Sequence, residues 1–285
     1  MSAVLDREEY IEQTYFFRVL RERLAESMPT QTVLEHLPDE LLTTTRLPMA
    51  VGFLSAEVKH TGLLSSGFAR LPHYFTPFQA FVIANTENDR RRFSIEIALL
   101  ILEREAQYRA ATPTPAGLFV YQFEALSRNR LGYDEGLIRM KQDAFYDSHW
   151  GEFLDLVRRQ IGVVDFGELV FVRSDMYVRE QQRRDREYAP PVPTLFGEKE
   201  GKIARANRGR DPLFLFAALQ RQLGYPEVPR ARPKEDPISQ LGQLREKVSQ
   251  LEQRLKLVEG EVRGQVDLSE FLAKPELLNP PDEDL

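Results

Sequence analysis

Apolar residues recur three and four positions apart from near the start of the chain to about Tyr188. That is the period of helices, not of strands. The first helix is expected from Asp6 to about Ser27, with Tyr10, Tyr15, Phe16, Val19, Leu20 and Leu24 inward. Asp6 and Glu9 have the spacing of a capping box, and Met28-Pro29 ends the run. Pro38, Pro48 and Pro77 sit where first helical residues belong, and Thr76 is a cap candidate for the helix at Pro77. Residues 90–109 are apolar on nearly every side, which predicts a helix in the middle of a bundle. Thr114-Pro115 opens a further helix through Leu118, Phe119, Tyr121, Phe123 and Leu126. Leu169-Val170-Phe171-Val172 is the one strand-like run; with no partner in the sequence it reads as a buried connector.

The pattern changes at Pro190-Pro191-Val192-Pro193, which breaks the chain. Asp211-Pro212 starts a helix that Gly224 ends, and Pro226 to Pro237 reads as a polar linker. Beyond it the stripe narrows. Leu241, Val248, Leu255 and Val262 fall at a, and Leu244, Leu251 and Val258 at d, of about three heptads. Lys247 and Arg254 fall at g, and Glu252 and Glu259 at e. In a parallel pair Lys247 meets Glu252 and Arg254 meets Glu259, both attractively. Mixed Leu and Val at a favours two strands and leaves a trimer open. A narrow seam with charged flanks fits a second helix better than a broad core face, though folding back onto the chain's own domain is the competing arrangement. The expected organisation is a helical domain (1–188), a helical extension (189–225), a linker (226–237), a coiled coil (238–263) and an acidic tail (264–285).

Composition narrows the classes. With 42% hydrophobic residues in 285, the chain can bury a sizeable core. A net charge of −6 argues against general nucleic-acid binding, and the absence of cysteine removes disulfides and thiolate chemistry. That absence fits a cytoplasmic location. The first ten residues are charged and show no signal peptide. No apolar run approaches the ~20 residues of a spanning helix.

Candidate chemistry is sparse. Glu57 and His60 form a Glu-x-x-His that leaves one helix face, and Glu96, Glu124 and Glu12 could complete a carboxylate metal site. The second Glu-x-x-His that such a bundle uses is absent. The alternative places His60 at its helix end near Gly62, Glu57 with an arginine, and Glu96 buried against an arginine. Gly197-Glu-Lys-Glu-Gly-Lys202-Ile203 is not a phosphate loop, because it lacks one residue between the glycines and a Ser or Thr after the lysine. Residues 173–232 carry thirteen basic against eight acidic side chains, including Arg205, Arg208 and Arg210. That offers an RNA or phosphate surface aided by Tyr188 and Phe196, or a solvated face of interleaved charge. Residues 71–78 and 118–123 are dense in aromatics, with His73 the histidine best placed for a pocket. No catalytic triad can be assembled.

The sequence thus predicts a predominantly all-α, cytoplasmic, self-associating scaffold-like protein. Its helical domain binds an unidentified partner, and it needs neither cofactor nor membrane. A helical-bundle metal-dependent oxidoreductase is the alternative, and a nucleic-acid binder using the basic segment the second.

Overall fold

The computed structural model describes residues 4–88 and 93–230, together with residues 245, 248, 249, 251 and 255. Among the described residues there are thirteen α-helices, one 3-10 turn and no strand. No helix among them is long and apolar enough to cross a membrane.

The first half is organised on α1 (Arg7–Ala25) and α6 (Ile95–Ala110), the most extensive helix pair. Phe16, Phe17 and Leu20 of α1 and Leu99 and Leu102 of α6 are all buried in this core. The helices α2 (Thr30–His36), α3 (Leu47–Thr61), α4 (Leu64–Arg70) and α5 (Pro77–Thr86) extend this core. Phe68 stacks on Phe75 at 4.1 Å between ring centres. Gly67 lets α4 approach α3, because a Cβ there would lie 2.6 Å from a Leu54 methyl.

The second half is built on α7 (Pro115–Asn129), in which every residue from Gly117 to Leu126 is buried. It is the most fully enclosed helix, more so than α6, whose Ile95, Ile97 and Leu100 are only partly covered. Around α7 pack α8 (Tyr133–Lys141), α9 (Ser148–Gln160), α10 (Phe166–Val172), α11 (Asp175–Arg184), α12 (Glu198–Ala206) and α13 (Pro212–Leu223). Phe123 stacks on Phe166 at 4.2 Å, and Phe119 meets Phe153 edge-on at 5.3 Å.

Local stop and start signals are used as expected at several ends. Thr76 and Gln79 form a reciprocal capping box on α5. Thr114 and Asp211 cap α7 and α13, each followed by a first-position proline. Gly62 and Gly224 terminate α3 and α13 with φ of 73° and 68°, a conformation that glycine adopts at little cost.

Three expectations are corrected. Asp6 makes no side-chain cap, and Glu9 is turned away from the helix end: its Oε1 accepts from the Arg46 amide at 2.9 Å and its Oε2 from the Tyr74 hydroxyl at 2.7 Å. Two tertiary donors outcompete one local amide. Residues 169–172 belong to the helix α10, capped by Asp165, whose Oδ1 accepts from Gly167 at 2.6 Å. An apolar run of four residues is too short to carry a period that separates strand from helix. Glu96 is exposed on the first turn of α6, which follows Ser94. The helical run breaks near 188, and buried residues continue beyond it. Phe196, Ala204, Phe216 and Leu219 join the same buried cluster as Phe119 and Phe123. The start of the expected linker packs as well, with Tyr225 and Val228 each 3% exposed.

Candidate functional site

The proposed metal ligands are held in separate places. Glu57 is buried on α3, where its carboxylate accepts from Ser66 Oγ at 2.8 Å and pairs with Arg70 at 2.5 Å. His60, one turn on, is exposed near Gly62. Glu124 is buried on α7, paired with Arg128 and accepting from the Tyr225 hydroxyl at 2.8 Å. Glu12 accepts from the Leu42 amide at 2.9 Å. Each buried carboxylate thus pins one connection of the bundle. Among the described residues, no three His, Asp or Glu side chains gather as they would around an ion.

A denser polar constellation lies where α6, α7 and the end of α8 meet. Arg109 is 1% exposed by side chain and donates to Glu105 Oε1 from Nε at 3.1 Å and from Nη2 at 2.9 Å. The same Nη2 also reaches Asp143 Oδ2. Gln122 donates to Glu105 Oε1 at 2.7 Å, and Tyr146 donates to Gln122 at 2.8 Å. Glu105 Oε2 is enclosed with no hydrogen-bond partner. Burial pushes the Glu105 carboxyl above the usual range, against the pull of Arg109. Although desolvation pulls it down, the Asp143 and Glu105 carboxyl groups hold Arg109 well above its ordinary value. A cavity of about 100 Å³ opens beside it, lined by Leu5, Tyr10, Arg109 and Phe145 among others. The Glu105–Arg109 spacing of four was readable in the sequence; Asp143, thirty-four residues further along, gave no local sign.

A concavity of about 350 Å³ lies between α4, α5 and α8. Phe68, Phe75 and Phe81 line it, with Ala80 and Ala84 as small walls and the Glu135–Arg139 pair on its rim at 3.5 Å. The aromatic stretch 71–78 supplies Pro72, Phe75 and Pro77 to it, whereas His73 is exposed and outside the lining. The stretch 118–123 is core.

Several charges in the basic segment are paired with acidic neighbours. Arg205 pairs with Glu180 at 2.9 Å, Lys202 with Glu198 at 2.8 Å and Arg208 with Glu168 at 2.5 Å, while Arg179 pairs with Glu198. Phe196 is 2% exposed and unavailable for stacking. Gly197 is simply the residue before α12.

Of the heptad seam, Val248, Leu251 and Leu255 are described. All three are helical, and they are 50%, 63% and 61% exposed. Leu241, Leu244, Val258 and Val262 lie outside the described residues, as do the tail and its acidic end. No protein-family model, curated protein or solved structure matches the chain.

Proposed function

We propose that this protein is a self-associating scaffold: a helical head carried on a C-terminal helix that pairs, in parallel, with the same helix of a second copy. The observation that carries the reading is the exposure of Val248, Leu251 and Leu255 at consecutive seam positions of a helix. Burying such a side chain stabilises by roughly 1.5–3 kcal/mol, so a helix partner gains from covering all of them. The charges at e and g favour the in-register parallel arrangement. Gly242 and Gly260 each cost up to ~1 kcal/mol against alanine, so the association is modest and concentration-dependent. The head contributes a rigid surface, whose groove between α4, α5 and α8 is the place for a partner to dock. The local pairing of arginines in the 173–232 segment supports this reading over nucleic-acid binding.

Sedimentation equilibrium tests it. The unmutated chain should form dimers at tens of micromolar. Leu251→Lys with Leu255→Lys should sediment as monomer with the helical content of the head intact. A monomeric unmutated chain would overturn the proposal.

A further inference from the structure

The Arg109 cluster holds two acids and one base shut away from solvent. The side chains of Glu105, Arg109 and Asp143 are 0%, 1% and 2% exposed. With both acids ionised the cluster would carry an uncompensated negative charge, which an enclosed site opposes strongly. Two carboxyl groups that share one site do not ionise together; the one less favoured as an anion keeps its proton.

The hydrogen bonds distinguish the two acids. Both oxygens of Asp143 have donors: Oδ2 takes Arg109, and Oδ1 accepts from the Phe145 amide at 3.0 Å. Glu105 is one-sided. Its Oε1 accepts from Arg109 Nε, Arg109 Nη2 and Gln122, while its Oε2 is enclosed without a donor. An ionised Oε2 there is an unmet charge, whereas a protonated one is an unmet hydroxyl, which costs less. Burial moves the Glu105 carboxyl in the same direction. Tyr121 of α7 and Tyr146 of the turn between α8 and α9 sense the Glu105 charge, and burial keeps both hydroxyls neutral. From α1, Tyr10 lays its ring 5.8 Å from the Arg109 guanidinium carbon, and Arg7 spends its Nε on the Ala110 carbonyl. Among the described residues, Arg109 is thus the one cation paired with Glu105.

We propose that Glu105 is a neutral carboxylic acid in the folded head, with its proton on Oε2, and that loss of this proton to solvent unlocks the junction of α6, α7 and the turn between α8 and α9. While Glu105 is neutral, Arg109 and Asp143 form one balanced pair that ties α6 to that turn. Once Glu105 is an anion, two carboxylates compete for one guanidinium and the enclosed charge is no longer balanced. The head therefore carries a pH-operated lock. It is independent of self-association, so either can fail without the other.

Trp150 is the chain's one tryptophan, and it reports on this junction. Its ring lies 5.8 Å from that of Tyr146, whose hydroxyl donates to Gln122 at 2.8 Å. Titration of the full chain from about pH 5 to about pH 9 should show a one-proton change in Trp150 emission, within the span in which buried glutamates titrate. His149 stands next to Trp150 and titrates in the same span, so His149→Gln should leave the change in place. Glu105→Gln should abolish it. Asp143→Asn removes the competing anion and should move it to lower pH by at least about one unit; it also covers the case of Glu105→Gln failing to fold. Near neutral pH the infrared difference between the natural chain and Glu105→Gln should contain the carbonyl band of a protonated carboxylic acid. Absence of that band, a change in emission that survives Glu105→Gln or is lost in His149→Gln, or an unshifted or upward-shifted change in Asp143→Asn would overturn the proposal.

Discussion

The helix α6 and the heptad segment are both rich in apolar residues at helical spacing, yet they meet opposite surroundings. In α6, Ala98, Leu99, Ile101 and Leu102 are each 0% exposed, and a charged triad is buried at its far end. In the heptad segment, Val248, Leu251 and Leu255 are at least half exposed, and charge is confined to the flanks. A wide apolar face found its partners within the same chain; the narrow one, on the proposal above, finds its partner in a second chain. What separates the two is the breadth of the stripe, not its hydrophobicity, and single substitutions should separate them as well.

The largest effect is expected at Arg109. Arg109→Met leaves Asp143 and Glu105 buried without their cation, a loss of about 3–5 kcal/mol. Urea unfolding should show the midpoint fall with the slope unchanged. A loss below about 1 kcal/mol, as for an exposed pair, would mean that water reaches the cluster.

Leu99→Ala should follow at about 2–5 kcal/mol, the cost of a core cavity. Leu251→Ala should leave the stability of the head unchanged while weakening association. Equal losses in head stability would place the seam in the head's own core and erase the contrast with α6.

Glu105→Gln sharpens the picture of the triad through pH. The folded carboxyl titrates above the usual range, so in the window between the usual range and its folded value the folded chain keeps a proton that the unfolded chain has lost. Stability contributed by Glu105 therefore declines as pH rises through that window and is level above it. The difference in unfolding free energy between the natural chain and Glu105→Gln should shrink in that direction. A difference that grows with pH would mean a carboxylate held ionised by Arg109.

The smallest effect is expected at Glu96. It is exposed on the first turn of α6, so Glu96→Ala should change stability by about 0.5 kcal/mol or less.

What the sequence disclosed follows the range of the forces involved. Caps at Thr76, Thr114 and Asp211, and glycine stops at Gly62 and Gly224, depend on neighbours a few residues away and were legible. Glu9 was misread because its partners, Arg46 and Tyr74, come from distant segments. The break at Pro190–Pro193 was legible as a break, but only the fold shows Phe196 and Phe216 sharing a core with α7 across it. The candidate sites were least legible. Asp143 completes the Arg109 cluster from outside its helix.

The most direct measurement of self-association uses the absence of cysteine from the chain. Leu251→Cys places the one thiol at a d position of the seam, where two parallel, in-register helices bring their Cβ atoms within disulfide reach. Mild oxidation of the folded protein should yield a covalent dimer rapidly, and denaturation in urea before oxidation should slow it markedly. Crosslinking no faster in the folded protein than in urea would contradict a parallel pairing of these helices.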